Sequence, residues 1–143
     1  MPSDAQLKIQ NAIHRALLKV SGGRLGRTIV GMPTLELTTI GRKSGQPRKV
    51  MLTAPVIDGE MIVIVASRGG DPTHPAWFLN LRDHPEVEVA LQSGPKQPMA
   101  ARVATAEERA ALWPRVVAAY DGYAGYQRKT TREIPLVLLT PNR

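Results

Sequence analysis

Apolar residues near the start of the chain, Ala5, Ile9, Ala12, Ile13, Ala16, Leu17 and Val20, recur at helical spacing with Lys8, Arg15 and Lys19 among them. The pattern predicts a basic amphipathic helix from Asp4 to Val20, stopped by Ser21-Gly22-Gly23. Beyond it the period becomes that of strands. Leu35 to Ile40 and Lys49 to Ile57 are rich in β-branched residues, and Asp58-Gly59 reads as a hairpin turn into Met61-Ile62-Val63-Ile64-Val65-Ala66. The unbroken apolar run of that third segment predicts a strand buried on both faces, and the three together predict an antiparallel meander.

The glycines of Ser67-Arg68-Gly69-Gly70-Asp71 end the meander and free the backbone for close approach. A short helix is expected over His74 to Leu81, with Trp77, Phe78 and Leu81 turned to the core. Asn80, the polar residue of that turn, is either a satisfied structural amide or a ligand contact. Val87, Val89 and Leu91 alternate along one strand, and Met99 to Val103 form another across Ser93-Gly94-Pro95. Thr105-Ala106-Glu107-Glu108 is a capping box that opens a helix towards Tyr120, kinked or broken at Pro114. Tyr120, Tyr123 and Tyr126 follow at spacings of three, and Ile134 to Leu139 form the last strand. The tyrosines read either as core packing or as the wall of a pocket.

Composition narrows the chemistry. With 143 residues the chain is one domain by length, and without cysteine it has no disulfide, thiolate metal site or cysteine nucleophile. The N-terminus lacks a signal-peptide pattern, and no stretch approaches the roughly 18 apolar residues of a spanning helix, so a cytoplasmic location is expected. The formal charge of +7 lies wholly in residues 1–50, which hold nine Lys/Arg against Asp4 and Glu36; residues 51–143 hold ten of each sign. Six aromatics, none interleaved with the basic residues, argue against a nucleic-acid surface and for an anionic small molecule. His14, His74 and His84 lack metal-ligand spacing, no nucleophile elbow or P-loop is present, and the carboxylates are scattered. An enzyme built this way depends on a cofactor for the hard step.

The loop Gly41-Arg42-Lys43-Ser44-Gly45-Gln46-Pro47-Arg48-Lys49 has the make-up of an anion holder: cations, a hydroxyl, and glycines and a proline that bend the backbone. Leu37-Thr38-Thr39-Ile40 with this loop, then Ala66-Ser67-Arg68-Gly69-Gly70, Pro75-Ala76-Trp77-Phe78-Leu79-Asn80-Leu81, and the three tyrosines ahead of Ile134-Pro135 form an ordered set. From about Leu35 to the C-terminus this set resembles the deazaflavin-dependent nitroreductase family.

The resemblance implies an α+β fold, a split β-barrel of the FMN-binding, flavin-reductase type. About six to seven mostly antiparallel strands with flanking helices are expected. Residues 1–34 would be the basic helix and a connector, and residues 35–143 the deazaflavin-binding barrel of a single domain. It implies coenzyme F420, an 8-hydroxy-5-deazaflavin, as hydride donor to a quinone or nitroaromatic acceptor. Arg42, Lys43, Ser44 and Arg48 would hold its phosphate and oligoglutamate tail. Lys49, Val50, Met51, Leu52 and Thr53 would meet the ring edge, and Val65, Ala66, Ser67, Arg68, Ala76, Trp77, Phe78, Leu79 and Asn80 would complete the pocket. Arg68 stands where the family has lysine. Ser67 would bond the acceptor oxygen, and Tyr120, Tyr123 and Tyr126 would wall the acceptor, with Tyr123 or Tyr126 as proton donor. FMN in the same fold, or a module that holds a deazaflavin or fatty acid without catalysis, are the alternatives. For a quinone reductase, the basic N-terminal helix implies peripheral contact with an anionic membrane face.

Overall fold

The structure, a computed structural model, describes residues 28–29 and 31–142. The helix expected over Asp4 to Val20 lies outside the described residues.

Among the described residues eight strands form one antiparallel sheet: β1 (Thr28–Ile29), β2 (Met32–Ile40), β3 (Pro47–Thr53), β4 (Val56–Asp58), β5 (Met61–Val65), β6 (Glu86–Leu91), β7 (Lys96–Val103) and β8 (Leu136–Pro141). Among the described residues three α-helices accompany them: α1 (Ala76–Asp83), α2 (Ala106–Ala119) and α3 (Gly122–Arg128). Strand order runs β2-β6-β7-β8-β5-β4, with β1 and β3 also on β2. Leu35 to Thr38 pair with β3 and with β6, so β2 is fully bonded along that stretch.

The meander expected up to Ala66 does not form as one unit. β3 stays on β2, while β4 pairs with β5 at the other end of the sheet. Pro55 has no N–H to give a ladder, and the segment expected as one strand from Lys49 to Ile57 breaks there. Only Ala54 and Pro55 separate β3 from β4. Two residues cannot cross a flat sheet, so the sheet must curl until its ends approach, and the result is a barrel split at that seam.

The two apolar strands behave as their unbroken runs predict. Ile62 and Ile64 of β5, with Val137 and Leu139 of β8, join a core that also takes Leu35, Leu37, Val87, Val89, Trp77, Phe78 and Leu81. Val63, Val65, Leu136 and Leu138 face the opposite way and pack with Leu112 and Val116 of α2 and Tyr123 of α3. The β6–β7 turn falls one residue earlier than expected. Gln92 and Ser93 both take positive φ and the Gly94 N–H donates to Leu91 O, the pattern of a type I′ turn.

The capping box forms as the sequence predicts: the Glu108 N–H donates to Thr105 Oγ1 and the Thr105 N–H to Glu108 Oε1. Helix α2 runs through Pro114 without a break and ends at Tyr120, whose φ of −160° is extended. The three tyrosines therefore do not share one helix.

Candidate active site

The basic loop closes the β2–β3 hairpin. The Gly41 N–H donates to Gln46 O and the Gly45 N–H to Gly41 O, both at 2.8 Å, with Gly45 at φ +70°. Ser44 Oγ accepts from the Gln46 N–H at 3.1 Å and from Arg48 Nη2 at 3.2 Å. A Cβ at Gly41 would fall 2.6 Å from Ser44 Oγ, so a side chain there would displace the hydroxyl that holds Arg48. Arg42, Lys43, Ser44, Arg48 and Lys49 are all exposed.

Asn80 of α1 is buried, and its hydrogen bonds run to the protein itself. Its Oδ1 accepts from both the N–H and Nη1 of Arg42 at 3.1 Å, and its Nδ2 donates to buried Thr39 Oγ1 at 3.2 Å. The amide thus fixes where the basic loop leaves the barrel.

Along β3, Val50 and Leu52 are half-buried and Met51 is buried. Val65, Ala66, Trp77 and Phe78 are likewise buried in the two cores, Leu79 is half-buried and Ala76 exposed. At the end of β3 the Thr53 hydroxyl lies 2.8 Å from that of Tyr123.

After β5 the chain enters a one-turn helix, Arg68–Gly70, preceded by Ser67, which is 9% exposed. Arg68, Gly69 and Gly70 have φ of 47°, 64° and 85°. Arg68 is held in this left-handed region by its Nη1, which donates to Asp71 Oδ1 at 3.1 Å and to Thr73 Oγ1. The two Thr73 bonds, and then the Arg68 and Arg132 charges, keep the Asp71 carboxyl below its ordinary range. At Gly70 a Cβ would lie 2.8 Å from Tyr126 O and 2.9 Å from Lys129 Cβ, so the turn presses its backbone on α3.

Arg132, which the sequence pattern did not single out, organises this loop. Its Nη2 donates to Ser67 O at 2.9 Å and Ala66 O at 3.2 Å, its Nε donates to Asp71 O at 2.9 Å, and its Nη1 lies 3.2 Å from His74 Nδ1. Burial, then the Arg132 and Arg82 charges, lower the His74 pKa. The imidazole is therefore neutral and accepts through Nδ1.

The tyrosines come together although their helices differ. Tyr120 ends α2 while Tyr123 and Tyr126 lie on α3, and their ring centroids stand 5.4, 6.5 and 6.1 Å apart, all edge-on. Gly122 leaves room for the Tyr120 ring, since a Cβ there would lie 2.3 Å from it and the ring would have to move. Tyr123 is buried, its hydroxyl also reaching Met32 Sδ at 3.8 Å. Burial raises its pKa against the lowering effect of Thr53. Tyr126 is half-buried, and burial together with a hydrogen bond to Tyr120 pushes it up to about 12.

The structure thus carries a preset cationic hairpin, an apolar strand that runs from it to the tyrosine cluster, and a serine turn held by Arg132. Comparison with known proteins gives this arrangement a family. The sequence profile of F420H(2)-dependent quinone reductases matches residues 10–141. An F420H(2)-dependent quinone reductase of Mycobacterium tuberculosis is 40% identical over 134 residues, covering 90% of this chain and 87% of that protein. Among solved structures, an F420-H2 dependent reductase of class FDR-A is 40% identical, with a TM-score of 0.66 over 75% of this chain and 93% of its own. A chain described as a domain-swapped dimer is 36% identical, with a TM-score of 0.67 over 92% of this chain and 96% of its own. With its split barrel and these matches, the chain belongs to the F420H(2)-dependent quinone reductase family.

Proposed function

We infer that this chain carries out its family's reaction: it is an oxidoreductase that moves a hydride from reduced coenzyme F420 to a quinone. The observation that carries this reading is the course of β3 between two chemically opposite ends. One end holds the exposed cations of the hairpin loop, and the other holds Thr53 against the tyrosine cluster. From Arg48 to Thr53 the strand covers about 17 Å. A coenzyme with a phosphodiester and oligoglutamate tail at one end and a flat ring at the other fits such a donor set. A single FMN phosphate would use only part of it.

In this reading Arg42, Lys43, Ser44 and Arg48 hold the phosphate and carboxylates by charge-assisted hydrogen bonds. Asn80 presets Arg42, and Ser44 presets Arg48. Backbone groups of Lys49 to Thr53 meet the ring edge, with half-buried Val50 and Leu52 packed against the core that holds Trp77 and Phe78, and Val65 in the opposite core. Ala66, Ser67, Arg68, Ala76, Leu79 and Asn80 close the pocket. When bound, the reduced deazaflavin supplies the hydride.

The chain's own residues then orient the acceptor and manage charge. The Ser67 hydroxyl donates to the acceptor oxygen on which negative charge develops. Tyr120, Tyr123 and Tyr126 form the wall that holds a flat quinone, and a nitroaromatic compound would occupy the same wall. We assign the accompanying proton to Tyr126 over Tyr123, because Tyr126 is half-buried and Tyr123 is buried.

The membrane contact remains a proposal from the sequence pattern of residues 4–20, whose basic amphipathic face would rest on anionic lipid on the cytoplasmic side. No helix among the described residues is long and apolar enough to cross a membrane. Co-sedimentation with anionic liposomes at low salt, lost at high salt, is the expected result; no sedimentation at low salt rejects the contact.

The cofactor assignment is tested by fluorescence titration with oxidised coenzyme F420, with FMN as competitor. Saturable binding that FMN does not displace, and that weakens in R42A and R48A, is expected. Retention of FMN instead would overturn it.

A further inference from the structure

We propose that Arg132 is a positioning residue for the reaction: its guanidinium fixes the carbonyls of Ala66 and Ser67 and so sets the Ser67 hydroxyl against the acceptor. The inference rests on the role in the reaction given above to Ser67.

Three features support it. The first is the direction of the bonds. Nη2 donates to the two consecutive carbonyls that bracket the turn out of β5, while Nε and Nη1 engage Asp71 O and His74 Nδ1 on the far side of the same loop. A planar fork with five donors can bridge both sides of a loop at once, and a point-like ammonium cannot. The second is that Arg132 is itself held. Its carbonyl accepts from Gln127 Nε2 at 2.8 Å, and Gln127 Oε1 in turn accepts from Arg109 Nη2 at 3.0 Å and the Ile134 N–H at 2.9 Å. Gln127 lies on α3, the helix that carries Tyr123 and Tyr126. The serine and the tyrosine wall are therefore referred to one anchor.

The third is the conformation being held. Ser67 precedes three consecutive left-handed residues, the first of them an arginine. Such a turn persists only where its surroundings determine it, and Arg132 supplies bonds to it from outside.

The test is a double-mutant cycle on kcat, measured at saturating reduced coenzyme with menadione as acceptor, using S67A, R132M and S67A/R132M. R132M should lower kcat by about 10- to 100-fold, the loss that follows from misplacing a reacting group by about an ångström. In the S67A background the same change should cost little further, because Arg132 acts through Ser67. R132K is run in the same cycle in case R132M does not fold. It should show an intermediate loss that also disappears beside S67A. Multiplicative losses, or wild-type kcat in R132K, overturn the proposal and leave the role of Ser67 standing. An S67A variant with unchanged kcat overturns both.

Discussion

Thr53 and Tyr123 are 70 positions apart in sequence, yet their hydroxyls meet at 2.8 Å where β3 reaches the seam of the barrel. This bond joins the strand that begins at the basic loop to the tyrosine wall. Replacing Thr53 with Val keeps the shape and removes the partner of a buried phenol, leaving only the weaker contact to Met32 Sδ. T53V should lose about 1 to 2 kcal/mol in urea denaturation and raise the KM for menadione more than the Kd for coenzyme. Unchanged stability would mean that water replaces the bond.

Asn80 offers the complementary test at the other end of β3. Its removal leaves the Arg42 N–H and the buried Thr39 hydroxyl without their amide partner. N80A should cost about 1 to 3 kcal/mol and weaken coenzyme binding by about tenfold, the factor that corresponds to 1.4 kcal/mol. If affinity is unchanged while stability falls, Asn80 supports the barrel without presetting the loop.

Gly70 is constrained twice, by a φ of +85° and by the backbone of α3 at 2.8 Å. G70A must strain the turn or push it off Tyr126 and Lys129. A destabilisation above about 1 kcal/mol is expected, with kcat falling as the serine turn and tyrosine wall separate. Wild-type behaviour in G70A would show that the two are not in rigid contact.

Tyr126 gives a pH signature. Its folded pKa, raised from 10.0 to about 12, means that the unfolded chain releases this proton first. The stabilisation is complete below pH 10 and is lost as pH rises from there towards 12. Tyrosinate absorbance should include a step near pH 12 from Tyr126, beyond the value of a free phenol, and Y126F should remove that step and shrink the alkaline loss of stability, while buried Tyr123 also ionises late. A wild-type titration complete by about pH 11, within about one unit of a free phenol, would contradict the buried, Tyr120-bonded phenol.

Much of the fold was legible because its signals are local. The alternation around Leu35 and Val87, the unbroken runs at Ile62 and Leu136, and the Thr105–Glu108 capping box each act within a few residues. The break at Pro55 is not legible in the sequence, because the stretch from Lys49 to Ile57 looks continuous until the pairing of β4 with β5 is known. The site divides in the same way. The basic loop and serine turn are contiguous motifs and could be quoted as such. Arg132 reaches Ser67 across 65 positions and Thr53 reaches Tyr123 across 70, and no periodicity marks such pairs. The spacing of three between the tyrosines does not show that the extended backbone at Tyr120 separates two helices and lets three rings meet.

The most direct test of the central claim is to mix the purified protein with reduced coenzyme F420 and menadione and follow the return of the oxidised coenzyme's absorbance. The account predicts rapid, saturable oxidation that depends on protein and on menadione, slowed in S67A and in Y126F. Tight binding of the coenzyme with no acceleration of its oxidation by menadione would contradict it, and would leave the chain a holder of the deazaflavin.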